Sequence, residues 1–118
     1  MSETIQPVCQ YIGGLDISQG ATWVELTSIS LDNMQGVAAN KLLAGKQFTS
    51  ITVLNTHATQ DLLIRFVSTP GVTTHAIPVG PGAQRSMDLL GGAPVLIVAI
   101  QGTGADTTGH ITALLADP

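Results

Sequence analysis

Val95-Leu96-Ile97-Val98-Ala99-Ile100, the longest unbroken apolar run in the chain, is bounded by Gly91-Gly92-Ala93-Pro94 before it and Gln101-Gly102 after it. Six residues are too few for an ordinary helix. Because strand side chains alternate between faces, a run apolar at every position predicts a strand covered on both sides. It is expected to be the most buried strand and the centre of the core. Downstream, Gly102 to Gly109 reads as a loop, and His110 to Leu115 as the last strand. Upstream, Gln84 to Leu89 is a strand, preceded by Gly80-Pro81-Gly82. There proline presets φ and glycine permits positive φ, so the triplet predicts a turn. His75 to Val79 is a short strand after Thr69-Pro70-Gly71.

The same spacing of strands and turn residues, about ten residues apart, continues toward the N-terminus and predicts an all-β domain. Phe48 to Asn55 and Asp61 to Val67 flank the polar segment Thr56-His57-Ala58-Thr59-Gln60 and read as two strands of a hairpin with a five-residue loop. In the second, Leu62, Ile64 and Phe66 share a face. Arg65 lies on the other with Leu63 and Val67, its stem covering apolar surface, and that face is expected to meet a neighbour. Between Thr22 and Leu31 the apolar set changes parity, from Val24 and Leu26 to Ile29 and Leu31. This predicts a bulge or a crossing between sheets near Thr27-Ser28. Residues Asp32 to Gly45 read as a connection, in which Asn33-Met34-Gln35 with Ala38 to Leu43 make a turn of helix kept short by Gly36 and Gly45. The first strand is expected from about Thr4 to Ile12, ending at Gly13-Gly14, with Pro7 placing it at an edge. The expected architecture is a single-domain β-sandwich, jelly-roll-like, of seven to eight strands. It divides into an N-terminal arm or edge strand over residues 1–14 and a sandwich over 15–118.

Only 10% of the 118 residues are charged, against roughly 25% in ordinary soluble domains, and the mean hydropathy is positive. A chain with so little charge for its exterior is expected to bury part of that exterior against neighbours. Eight acids against four bases give a net charge of −4, and Lys41, Lys46, Arg65 and Arg85 form no run. No electrostatic footprint for nucleic acid exists. The start lacks the basic and apolar regions of a secretory signal, and no stretch approaches the roughly 18 apolar residues of a membrane span. Neither nucleic acid nor membrane is an expected partner. Cys9 is the only cysteine, so no internal disulfide and no paired-cysteine metal motif can form.

No constellation for chemistry can be assembled, and no catalytic, cofactor-binding or metal-binding residue is assigned. His57, His75 and His110 are isolated, without the close His pair and carboxylate of a cupin-type site. Cys9 sits beside Pro7 and Val8 in apolar surroundings with no base nearby. The acids, chiefly Asp16, Glu25, Asp32, Asp61, Asp88, Asp106 and Asp117, are dispersed rather than paired for glycoside hydrolysis. Gly80-Pro81-Gly82 and Gly102-Thr103-Gly104 read as turns, since no helix follows either to bind phosphate. A sugar-binding sandwich needs exposed rings. Phe48 and Phe66 read as core, leaving Tyr11 and Trp23 as a minimal platform.

Ile51-Thr52-Val53-Leu54-Asn55, Asp61-Leu62-Leu63-Ile64-Arg65-Phe66, Ile77-Pro78-Val79-Gly80-Pro81-Gly82 and the closing Ile97 to Gly104 form a cadence within Phe48 to Pro118. This part, about 60% of the chain, resembles capsid decoration (cement) proteins of tailed bacteriophages and related virion β-modules. The first 47 residues carry no such likeness. The resemblance implies a many-copy virion component, made in the host cytoplasm, with a mechanical role. It would be a homo-oligomer, a trimer by preference, held on the major capsid protein or another virion protein, with the N-terminal arm laid over a neighbour. A tail, baseplate or fibre module would share the same features.

Overall fold

A computed structural model describes residues 10–33, 44–68, 72–89, 94–104 and 106–116. Among these are ten strands: β1 (Gln10–Gln19), β2 (Val24–Leu26), β3 (Asp32–Asn33), β4 (Gln47–Asn55), β5 (Leu62–Ser68), β6 (Val72–Thr73), β7 (Ile77–Val79), β8 (Gln84–Asp88), β9 (Val95–Gly102) and β10 (Thr107–Ala116). Each strand expected from Thr22 onward has a counterpart, the two-residue pieces β3 and β6 are additional, and residues 4–9 of the first expected strand lie outside the described residues. A 3-10 turn over Ser28–Ser30 is the one helical element among the described residues.

All strand pairs are antiparallel and divide into two sheets. The first has the order β3-β1-β10-β4-β8. In the second, β9 lies between β2 and β5, and β5 carries β7 and β6 on its far side. The sheets are joined at one corner by the bridge Phe48–Val95. The chain alternates between them: β1 first, β2 second, β3 and β4 first, β5 to β7 second, β8 first, β9 second, β10 first. This is a jelly roll, whose two sheets close over one core. That core takes Ile17, Ile51, Val53, Ile111, Ala113 and Leu115 from the first sheet. The second supplies Leu26, Leu62, Ile64, Phe66, Val79, Val98 and Ile100.

The parity change near Thr27 is a crossing between sheets. Thr27 starts the 3-10 turn, with Ser30 N–H bonded to its carbonyl at 3.0 Å, and the chain leaves β2 in the second sheet for β3 in the first. Leu31, 1% exposed, joins the core just after the turn. The turn at Gly80-Pro81-Gly82 is also as expected: Gly82 takes φ +71° and Ala83 N–H bonds the Gly80 carbonyl at 3.0 Å.

Three expectations are corrected. Phe48 to Asn55 and Asp61 to Val67 do not form a hairpin. β4 pairs with β10, β8 and β9, β5 with β9, β7 and β6, so the segment between them is an arch from one sheet to the other. The first strand does not end at Gly13-Gly14. Both glycines are buried inside β1, which lies between β3 and β10, so residues 10–14 belong to the sheet. Residues 1–9 of the expected arm, Pro7 and Cys9 included, lie outside the described residues, as do the expected helical turn over residues 34–43 and the turns at 69–71 and 91–93. Third, Gly102 to Gly109 is not all loop: Gly102 ends β9, and β10 already begins at Thr107. The run Val95 to Ile100 is the middle strand of its sheet, with Val98, Ala99 and Ile100 at most 1% exposed, although Leu96 is 37% exposed.

Candidate functional site

Among the described residues, the side chains that could do chemistry are held apart except for one His–Asp pair, His110 with Asp16. His57 sits in the β4–β5 arch, His75 is exposed before β7, and His110 lies on the outer face of the first sheet. Among the described residues no three of His, Cys, Asp and Glu come together as a metal would need. His57 Nδ1 accepts from the backbone N–H groups of Thr59 at 3.1 Å and Gln60 at 3.0 Å, so its lone pair is used to shape the arch. Asp61 is tied to Thr103. Its N–H bonds the Thr103 hydroxyl, and that hydroxyl is also 3.1 Å from the Asp61 carbonyl. Both are structural uses.

The arch is anchored by Asn55, which is 0% exposed. Its Nδ2 donates to the carbonyls of Gln60 at 2.7 Å and Val79 at 2.9 Å, and its Oδ1 accepts from His57 N–H at 2.8 Å. Asn55 falls on the same strand parity as Ile51 and Val53, so its amide points inward and must find partners there. Gln60 continues the network by accepting from the Thr107 hydroxyl at 2.7 Å.

The two outer sheet faces differ. On the second sheet, Leu63, Arg65 and Val67 of β5 lie beside Gln101, Ala99 and Ile97 of β9, and Glu25 of β2 flanks Ala99 on its other side. Arg65 does lie opposite Leu62, Ile64 and Phe66. Its guanidinium carbon is 4.2 Å from the Trp23 ring centroid, an arrangement in which the ring quadrupole attracts the cation. Arg65 Nε is buried without a hydrogen-bond partner among the described residues. Leu63, Val67 and Ile97 are half-buried, and Ala99 is fully covered.

The first sheet's outer face is a hydroxyl-rich surface. Across it run Gly14–Thr112–Thr52–Ser86 and Asp16–His110–Leu54–Gln84 in register. Thr52 and Ser86 are hydrogen bonded at 2.9 Å, as are Thr56 and Thr108. His110 Nδ1 and Asp16 Oδ1 are 2.7 Å apart, with the Asp16 side chain 94% exposed. Its open side, at β8, is closed by Arg85, which donates to the Pro78 carbonyl of β7 at 3.0 Å.

Phe48 and Phe66 are core residues, 2% and 5% exposed. Trp23 and Tyr11 do not share a sheet: Tyr11 is in β1, Trp23 just before β2. The Trp23–Arg65 stack and the Asp16–His110 pair were not anticipated from sequence. Each joins segments far apart in the chain, and only strand register brings them together.

No protein-family model matches the chain, and no curated protein matches it. No family match bears on the sequence likeness to capsid decoration proteins. Among solved structures, a subunit of Bacillus endospore appendages, described as a novel family of disulfide-linked pili, is similar. It has a TM-score of 0.63 and 19% identity, over 99% of this chain and 94% of that one. A protein of the virus-like particle of Macrobrachium rosenbergii extra small virus aligns at a TM-score of 0.42 and 14% identity, over 98% of this chain and 81% of that one. At such identities the first likeness is one of fold: this chain shares a whole-length β architecture with the pilus subunit.

Proposed function

We propose that this protein is a non-enzymatic structural subunit that works by packing against copies of itself and against other subunits of a repetitive assembly. The observation that carries this reading is the composition of its two outer faces. One is half apolar around an Arg65–Trp23 pair, the other carries rows of short hydroxyl side chains among single acids such as Asp16, and no reactive cluster stands between them among the described residues. Such faces suit burial better than solvation. In its finer form the subunit is a virion decoration protein, a homo-oligomer on a capsid shell, with residues 1–9 as an arm over a neighbour. Roughly 25 cal/mol per Å² of apolar contact, repeated over a shell, would then resist internal pressure.

A second reading, a subunit of a filamentous appendage, is favoured by the whole-length fold likeness to a pilus subunit. That appendage is described as disulfide-linked. One cysteine per chain can make one disulfide and so join two copies, but it cannot propagate a polymer. An appendage built from this chain alone would be held by non-covalent faces.

Sedimentation velocity and negative-stain microscopy of the full chain test the reading. Concentration-dependent oligomers are expected, and a monomer throughout would refute it. Stoichiometry in the native particle separates the two forms: one copy per capsid subunit, or a trimer per local three-fold, for decoration, and an open filament for an appendage. Removing residues 1–9 should weaken attachment and leave the sandwich folded. A longer deletion, to residue 12, would remove β1 residues paired with Leu114 to Ala116 and confuse attachment with folding.

A further inference from the structure

We propose that the two outer sheet faces are the complementary halves of one head-to-tail interface, in which Arg65 of one copy receives Asp16 of the next. This rests on the structural-subunit reading above and names the contact it would use. Arg65 is a cation with no acidic partner among the described residues, held against Trp23 at 4.2 Å and set among half-buried Leu63, Val67 and Ile97. Lys46 has a partner of its own, and Arg85 is spent on the Pro78 carbonyl. A guanidinium held over an indole is partly ordered already, and its terminal N–H groups suit a carboxylate. Arg and Trp in a half-apolar setting are the residues around which interfaces concentrate their binding energy.

Asp16 supplies the other half. Its carboxylate is 94% exposed, in the row Asp16–His110–Leu54–Gln84 beside the hydroxyl row Thr112–Thr52–Ser86. Arg65 and Glu25 stand on either side of Ala99, and on the opposite face Asp16 stands directly beside His110. Stacking one face on the other sets the Arg65 cation against the Asp16 carboxylate; Glu25 stands two strand spacings from Arg65 and His110 only one from Asp16, so the contact rests on the Arg65–Asp16 pair alone. The two faces lie on opposite sides of the sandwich, so one molecule cannot satisfy itself. The contact is heterologous, and unless rotation closes a ring it propagates.

Two charge reversals, Arg65→Glu and Asp16→Arg, test this on the full chain by sedimentation velocity, with circular dichroism and thermal melts to verify folding. Each variant alone should self-associate about tenfold or more weakly than wild type, the loss expected for a charge-assisted pair. An equimolar mixture should reassemble. The reversed face of one variant then meets the reversed face of the other, acid against base with the signs exchanged, and the remaining native faces meet as before. A misfolded variant would not be rescued in this way. Wild-type association by either folded variant, or a mixture that stays dissociated, overturns the contact while leaving the subunit reading intact. A monomeric wild type overturns both.

Discussion

Replacing Asn55 with alanine should destabilise the fold by about 3–5 kcal/mol. The side chain is 0% exposed and makes three hydrogen bonds, two from Nδ2 to the Gln60 and Val79 carbonyls and one to Oδ1 from His57 N–H. Each such bond contributes about 1 kcal/mol net, and each buried group left without a partner costs about 1–3 kcal/mol. The Val79 carbonyl, on a residue 1% exposed, has the least access to replacement water, whereas the Gln60 carbonyl and His57 N–H lie in a partly exposed arch. Full loss at one group and net loss at the other two gives the stated range, a large share of the roughly 5–15 kcal/mol that holds a domain together. Urea denaturation is the assay: the midpoint should fall while its slope, which reports the surface exposed on unfolding, stays constant. Asn55→Asp should be worse near neutral pH, since two carbonyl oxygens and burial both disfavour a carboxylate there. The folded state then holds the proton more tightly than the unfolded state, so the deficit of this variant grows as pH rises and shrinks on acidification. An alanine variant losing less than about 1 kcal/mol would mean that the arch is held by something other than Asn55.

Two further expectations follow from close contacts. A Cβ at Gly102 would run into the Gln19 carbonyl oxygen and Thr107, whereas one at Gly20 meets nothing within 4 Å. Thermal melts should therefore show Gly102→Ala strongly destabilised, by about 1–3 kcal/mol, and Gly20→Ala unchanged or slightly improved; equal behaviour of the two would contradict the approach of β9 to the end of β1. Trp23→Ala should remove the stacking of Arg65 at a cost of about 0.5–2 kcal/mol. A double-mutant cycle with Arg65→Met measures the coupling, and additive losses would show that the ring and the guanidinium do not interact.

Strand positions were legible because the pleat is a local property. Ile51, Val53, Leu62, Ile64 and Phe66 announce inward faces through period-two spacing alone, and the switch of parity at Thr27 announces the passage between sheets. Gly80-Pro81-Gly82 was legible for the same reason, since a turn is specified by the φ values its own residues tolerate. The β4–β5 hairpin was misread because a hairpin and an arch present the same alternation and loop length. The one sign of the difference was Asn55, a polar residue on the apolar parity, whose amide an arch can satisfy from its own carbonyls and from Val79 across the core. The continuity of β1 was missed because two consecutive glycines read as a break, although β10 on one side and β3 on the other supply their backbone partners.

By itself, then, the sequence determined an all-β chain with a core centred on Val98 and Ile100 and too little charge for a fully solvated exterior. These properties are carried by neighbouring residues or by composition. Only the tertiary structure decided which strands pair, that the chain closes as a jelly roll, and that Arg65 comes to rest on Trp23 while Asp16 meets His110. Those outcomes depend on register between segments distant in the chain, and register is chosen by the simultaneous burial of both sheets' inner faces, which no local stretch can express.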